Sequence, residues 1–168
     1  MTPLSDTPGF TLLELVITLA VLAVLSALAL PSLGARVDRA RLAGTAELLA
    51  ADLADARFEA ARLGLPLHIV AQVGADWCWS VATAPGCGCT SAQACQLKTV
   101  QSQDHPGVRL MESFAVQLRP DGEADGHPVR LEGRRGDRLR VGLTPLGRAR
   151  ICTEFNASTP AVGRYTAC

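Results

Sequence analysis

The chain has 168 residues, of which 48% are hydrophobic, and its 16 Lys and Arg residues balance its 16 Asp and Glu residues. This length provides for one small domain with a single core beside a terminal segment, and it excludes an array of several domains. The charge is unevenly distributed, because residues 106–168 contain ten Arg and seven acidic residues. That part is mildly cationic, which favours an anionic partner over a cationic one.

Residues 8–31 dominate the N-terminal part of the chain. After Glu14 the next charged residue is Arg36, so 21 positions carry no charge. As a helix they extend about 31 Å at ~1.5 Å per residue, which matches the thickness of a bilayer core. The segment is hydrophobic on every side, and this predicts a transmembrane helix over residues 10–35. Glu14 lies at its edge, and an ionisable side chain in such a segment indicates function.

A short motif surrounds Glu14. Residues 9–15, Gly-Phe-Thr-Leu-Leu-Glu-Leu, resemble the processing site of type IV pilins and of the pseudopilins of type II secretion. The resemblance implies that prepilin peptidase removes residues 1–9 by cutting between Gly9 and Phe10, and that the new amine of Phe10 is methylated. It also implies that Glu14 neutralises the N-terminal amine of a neighbouring subunit during assembly. Such a pair offsets the cost of a carboxylate in lipid.

The resemblance also implies a location and leaves two alternatives open. The expected location is the inner membrane, crossed once, with the soluble domain in the periplasm and later incorporation into a pilus or pseudopilus. The alternatives are a plain single-span anchor and a secretory signal peptide cut near residues 27–29, although the leader lacks the usual Lys or Arg. Pro8 occupies a position that is usually basic in the family, and Arg36 and Arg39 oppose the required orientation.

Residues 36–64 continue as an amphipathic helix, since apolar residues recur every three or four positions with charged residues between them. Gly64, followed by Pro66, marks the C-terminus of this helix. Pro31 removes one helical hydrogen bond and is predicted to be the weakest point of the long helix. Two alternatives stay open at this position: the helix unwinds locally when subunits pack into a filament, or it only marks the point where the chain exits the membrane.

Beyond Gly64 the apolar residues alternate, which predicts a β-rich soluble domain over residues 65–168. Its order, with a Leu-Pro-Leu-His strand before a Trp-containing strand, resembles the GspH/FimT branch of the pilin family. The predicted fold is α+β, with one long N-terminal helix packed on an antiparallel sheet or sandwich. The predicted strands are 67–73, 77–82, 108–111, 114–118, 129–132, 139–143 and 148–152.

Six cysteines lie beyond the apolar segment: Cys78, Cys87, Cys89, Cys95, Cys152 and Cys168. An even number in a small translocated domain predicts disulfides. Cys152 and Cys168 are expected to pair because both lie near the end of the chain, and the other four are expected to pair among themselves. A metal site formed by Cys87, Cys89, Cys95 and His105 is the alternative, although its spacing lacks the paired C-x-x-C pattern of structural zinc.

The second motif is Gly147-Arg148-Ala149-Arg150. Residues two apart on a strand share one face, so Arg148 and Arg150 are predicted to lie side by side. Arg138 and Arg140 repeat this spacing on the preceding strand and are predicted to complete one cationic surface, which Arg164 joins if Cys152 and Cys168 are bridged. Because Arg donates two bonds to a phosphate, this surface suits an anionic partner.

The G-R-x-R pattern is similar to that of FimT-type minor pilins, and the resemblance implies binding of double-stranded DNA during natural transformation. Contacts to phosphates predict sequence-independent, salt-sensitive binding. Gly147 is expected to let the backbone approach the ligand. Two alternatives stay open: a solvated face with Glu132, Asp137 and Glu154 as partners of the arginines, and a structural pseudopilin that primes or caps the filament of a type II secretion system.

Catalysis finds little support in the sequence. His68, His105 and His127 lie apart from any nucleophile motif, and His68 alternates within a predicted strand, which favours a structural role. The chain is therefore predicted not to be an enzyme and to need no cofactor. Trp77, Trp79 and Tyr165 are the only large polar aromatic residues, so no aromatic platform for stacking bases is evident.

Overall fold

A computed structural model describes residues 10–89, 92–144, 146–154 and 162–168, without the side chains of residues 28–32. The chain forms two compact units, Met1–Arg36 and Val37–Cys168, each of which is described by itself. The described residues contain one long helix and nine strands, and the helix packs against antiparallel sheets. The predicted α+β, pilin-like fold is thus confirmed.

Helix α1 spans Leu12–Leu63 and ends where the sequence predicts. Gly64 adopts φ +67°, the left-handed conformation that glycine tolerates best, and Leu65 N donates to Ala60 O at 3.3 Å. Position 31 lies within α1, so the predicted weak point does not end the helix, while the side chain of Pro31 lies outside the described residues. Among the described residues, no helix combines the length and apolarity needed to cross a membrane.

Nine strands follow the helix: β1 Leu67–Gln72, β2 Cys78–Ala82, β3 Gln96–Gln101, β4 Val108–Leu110, β5 Phe114–Leu118, β6 Ala124–Asp125, β7 Val129–Gly133, β8 Arg138–Leu143 and β9 Ala149–Glu154. The seven predicted strands are present with ends within two residues of the prediction. Strands β3 and β6 were not predicted. β3 is largely exposed and mostly polar, with Val100 as its buried residue, and so it lacks the alternation that reveals a half-buried strand.

The strands form two sheets with antiparallel neighbours throughout. Sheet A has the order β3-β2-β1-β5-β6, and sheet B has the order β4-β7-β8-β9. In sheet B, Leu139 and Val141 of β8 point into the core, whereas Arg138 and Arg140 alternate with them on the outer face. The two-residue period therefore separates the core of this sheet from its outer face.

The second half of α1 contributes one buried face to the core. Its fully buried residues include Leu42, Leu49, Leu53 and Ala60, which cluster with residues of both sheets. Full burial of one leucine side chain stabilises the folded state by about 1.5–3 kcal/mol. This apolar face is therefore the main link between the helix and the sheets.

Asp52 adds a polar link between α1 and sheet A. Its carboxylate is buried, accepts a hydrogen bond from Trp79 Nε1 at 2.8 Å and pairs with Lys98 Nζ at 2.5 Å. A buried carboxylate is tolerated only when it is paired in this way. Because Trp79 belongs to β2 and Lys98 to β3, Asp52 fixes the position of the helix along the sheet.

The six cysteines form three disulfides: Cys78–Cys89, Cys87–Cys95 and Cys152–Cys168. The expected Cys152–Cys168 pair and the pairing of the other four among themselves are confirmed. The alternative metal site is not formed, because its cysteine sulfurs are already bonded. His105, its fourth candidate ligand, instead stacks on Trp77 with ring centroids 5.9 Å apart and lies 3.1 Å from the Thr45 hydroxyl.

Replacing Asp52 tests this polar link. We expect Asp52→Ala to lower the free energy of unfolding by about 1–3 kcal/mol, because the Trp79 indole loses its buried acceptor and Lys98 loses its partner. Urea unfolding followed by tryptophan fluorescence measures the change. The matched control is Asp55→Ala on the exposed part of the same helix, with an expected change within about 0.5 kcal/mol. Equal losses in the two variants would contradict the assigned role.

Candidate functional site

In the first unit, Glu14 lies in the first turn of α1. Glu14 N donates to Thr11 Oγ1 at 3.2 Å, and Thr11 N donates to Glu14 Oε2 at 3.4 Å. These reciprocal contacts form a capping box, in which Thr11 is the N-cap residue and Glu14 the third residue of the helix. The carboxylate also complements the positive end of the helix dipole. Glu14 therefore has a partner within its own chain.

The spacing of Thr11 and Glu14 is the sequence signal of a capping box, which was not among the predictions. Phe10 is highly exposed and lies directly before the cap. Gly9, the other residue of the expected cleavage site, lies outside the described residues. The described part of the motif thus places a carboxylate within one helical turn of the expected mature N-terminus.

In the second unit, the pairing of strands arranges the arginines of sheet B. Arg138 lies opposite Glu154, Arg140 opposite Cys152, and Gly142 opposite Arg150. Arg138, Arg140 and Arg150 therefore share the outer face of the sheet, as the two-residue spacing predicts. The next strand, β7, adds Arg130 opposite Arg140.

Acidic residues on the same face balance several of these charges. Arg138 Nε lies 3.5 Å from Glu132 Oε2, and Arg140 forms an ion pair with Glu154. Arg130 pairs with Glu112. The alternative partners Glu132 and Glu154 are thus present for Arg138 and Arg140, whereas Asp137 pairs with Arg39 at 3.3 Å. The outer face therefore carries acidic residues among its arginines, as in the alternative with Glu132 and Glu154 as partners, and is not a purely cationic surface.

Arg148 and Arg150 differ from these arginines. Both are exposed, and neither lies within 4.0 Å of a carboxylate oxygen in the part of the chain that the structure describes. Arg150 lines a depression of about 210 Å³ together with Arg140 and Thr144. Arg148 precedes β9 instead of lying within it, and lines a separate groove beside α1. These two side chains hold the uncompensated positive charge of the motif.

Gly147 owes its place to the turn between β8 and β9. Its N–H donates to Thr144 O at 2.8 Å, Thr144 N donates to Arg148 O at 2.9 Å, and Gly147 has φ +68°. These features are typical of a tight turn that ends in a left-handed glycine. A Cβ atom at Gly147 would lie 2.6 Å from Gly122 O. The backbone at Gly147 was expected to approach a ligand closely, but in the structure it approaches the backbone of Gly122.

Arg57 of α1 completes this packing. Its Nε donates to Gly122 O at 3.3 Å and would lie 2.9 Å from a Cβ atom at Gly147. One helical arginine thus contacts the β5–β6 turn and the β8–β9 turn together. No local pattern in the sequence predicts this contact, since its partners are 65 positions or more apart along the chain.

Arg164 does not join the outer face of sheet B, although Cys152 and Cys168 are bridged. It pairs with Glu47 of α1, whose carboxylate also accepts a hydrogen bond from Tyr165 Oη at 2.6 Å. These hydrogen bonds, with Tyr165 as the stronger cause, hold the pKa of Glu47 below its usual value. Burial, with the bond to Glu47, raises the pKa of the Tyr165 phenol. The tail is therefore attached to the helix.

The aromatic side chains differ in their exposure, which determines whether they could contact a ligand. Trp77 and Trp79 are 1% and 0% exposed, so neither can stack on a ligand. Phe58 of α1 is 68% exposed and lines the same groove as Arg148. It lies off the apolar stripe of the helix, which is the sequence signal that could have identified it. His68 lies in β1, where partial burial lowers the pKa of its imidazole.

Comparison with protein families gives one match. The model described as the prokaryotic N-terminal methylation motif matches residues 6–30. Residues 6–30 are thus similar to the N-terminal segment of type IV pilin-like proteins. Such a segment belongs to pilin-type subunits that prepilin peptidase processes. No curated protein and no solved structure matches the chain. The match covers residues 6–30 and does not reach the domain that carries Arg148.

Replacing Gly147 separates its role in the turn from a role in binding. We expect Gly147→Ala to destabilise the fold by about 1–3 kcal/mol, because the new Cβ atom meets Gly122 O and the positive φ becomes unfavourable. The matched control is Gly136→Ala, where φ is +81° and no atom lies within 4 Å of the new Cβ. Urea unfolding should show a smaller loss for the control. Equal losses would mean that the contact with Gly122 contributes nothing.

Proposed function

We propose that the chain is a minor pilin of the GspH/FimT type that enters a type IV pilus and binds double-stranded DNA through Arg148 and Arg150 for uptake in natural transformation. The observation that carries the binding part is that Arg148, directly before β9, and Arg150, within β9, are exposed and have no carboxylate partner among the described residues. The N-terminal motif supports the filament part. No catalytic role and no cofactor belong to this proposal.

The first step is delivery and processing. The leader of residues 1–9 is removed between Gly9 and Phe10, the amine of Phe10 is methylated, and the segment anchors the subunit in the inner membrane with its soluble domain in the periplasm. Glu14 then exchanges its contact with Thr11 for the amine of a neighbouring subunit. The exchange is favourable because a charged amine binds a carboxylate more strongly than a neutral N–H does.

Processing is tested by determining the mature N-terminus of the full chain from cells that contain prepilin peptidase. We expect it to begin at methylated Phe10, whereas Gly9→Val should leave the leader attached. Glu14→Gln should be cleaved normally but recovered less in filaments, because a neutral side chain cannot neutralise the neighbouring amine. Mass spectrometry and a filament pull-down provide the measurements. A mature start at Leu30 or an intact Met1 in the parent would refute this step.

The second step is contact with DNA. A guanidinium group donates two hydrogen bonds to one phosphate, and these contacts carry no sequence information. Arg148 and Arg150 are available for them, whereas Arg138 and Arg140 would first have to leave Glu132 and Glu154. Arg140 and Arg150 line one depression, so Arg140 contributes as a neighbour. Two phosphate contacts predict a modest affinity that falls with salt.

The double variant Arg148→Ala/Arg150→Ala tests this contact. We expect weaker binding of a mixed-sequence duplex and a slope of log K against log salt that is less steep by about two. Fluorescence anisotropy of the full chain in detergent micelles provides the measurement. The matched control is Arg62→Ala/Arg135→Ala, which removes two arginines that already have carboxylate partners. If the double variant binds the duplex as tightly as the parent, the assignment of DNA binding to Arg148 and Arg150 is wrong.

A structural pseudopilin of type II secretion is the second candidate. The observation that favours it is the ion-paired outer face of sheet B, which needs no anionic partner to be stable. Such a subunit would prime or cap the pseudopilus through the same N-terminal segment. Normal processing together with no DNA binding at low salt would select this candidate.

A further inference from the structure

We infer that the groove between α1 and the β8–β9 turn binds single-stranded DNA, with an unpaired base stacked on Phe58 and its phosphate held by Arg148. This inference rests on the proposed DNA binding and adds a second form of ligand, an unpaired strand that this groove binds in addition to the duplex contacts of Arg148 and Arg150. It arises because an exposed aromatic ring and an uncompensated arginine line one groove.

The groove has the dimensions of a ligand site. Its volume is about 750 Å³, within the usual range of roughly 300–1,000 Å³ for small-molecule pockets. One wall is α1, where Ala54 and Ala61 lie four positions before and three positions after Phe58. These positions are the neighbours of Phe58 on the helix surface, and neither carries a large side chain. The ring therefore remains accessible to a planar ligand.

The charge of the groove suits a phosphate. Its ionisable lining residues are Arg57, Arg148 and Asp121, and Asp121 Oδ1 already accepts a hydrogen bond from Glu123 N at 2.9 Å. Asp55 and Glu59 line a different depression of the helix. The groove thus combines a net positive charge with an aromatic ring.

This combination discriminates between forms of DNA. Proteins that bind single strands pair a cationic track with aromatic rings on which bases stack, and such stacking tolerates any sequence. In a duplex the bases are already stacked on each other, so Phe58 gains no base and Arg148 keeps only its phosphate contact. An unpaired end or an opened strand is therefore the ligand that uses the whole groove.

The experiment compares a short single-stranded oligonucleotide of thymidines with a mixed-sequence duplex, using the full chain in detergent micelles. We expect Phe58→Ala and Phe58→Leu to weaken single-strand binding on the order of tenfold and to leave duplex binding within about twofold. Phe58→Leu is the matched control for apolar area, since it retains a large side chain without an aromatic face. Phe58→Trp should retain the binding.

An oligonucleotide of the same length without bases isolates the stacking contact. The parent should bind it on the order of tenfold more weakly than the thymidine strand, whereas Phe58→Ala should bind the two strands equally. Because Phe58 is exposed, all variants should keep the unfolding midpoint of the parent.

Several outcomes would overturn the inference. If Phe58→Leu binds the thymidine strand like the parent, stacking on Phe58 is absent. If Phe58→Ala changes only the oligomeric state in size-exclusion chromatography, the groove holds another protein chain instead. In both cases duplex binding that depends on Arg148 and Arg150 would leave the proposed function standing. If the parent binds no DNA of either form, the proposed function and this inference fail together.

Discussion

Burial of one face of α1 against two sheets is the constraint on which the second unit depends. Leu42, Leu49 and Leu53 fill the core, and Asp52 fixes the helix to β2 and β3 through Trp79 and Lys98. When one face of a surface helix is buried in the core, the opposite face is exposed to solvent. The core therefore determines that Phe58 is exposed, and that Arg57 reaches the two turns beside the groove.

The elements of this fold could be predicted where a signal is local. The helix ends at Leu63 because Gly64 supplies a left-handed residue, and the alternation of apolar residues located seven strands. Strand β3 was not predicted because this edge strand is mostly polar and exposed, so its apolar residues do not alternate along the sequence. The pairing of Cys152 with Cys168 followed from their shared place at the chain end, whereas the pairs among the other four cysteines could not be told apart by spacing.

The site was less predictable because its chemistry depends on contacts between distant strands. A two-residue period places Arg138 and Arg140 on one face, but only the register of β8 with β9 brings Glu154 opposite Arg138. A shift of one residue would exchange the two faces and remove these pairs. Gly147 could not be interpreted from its motif alone for the same reason. The motif suggested contact with a ligand, whereas the neighbours of Gly147 in the fold are Gly122 and Arg57, which lie far away in the sequence.

The two contacts proposed for this site, phosphate with arginine and base with Phe58, would depend differently on salt. Phosphate contacts release counterions, so their contribution to affinity falls as salt rises. Stacking on an aromatic ring releases none and should persist. Because the chain has no net charge, the contacts proposed for Arg148 and Arg150 would give only weak binding of DNA in physiological salt. Stacking on Phe58 would then supply a part of the affinity for an opened strand that does not fall with salt.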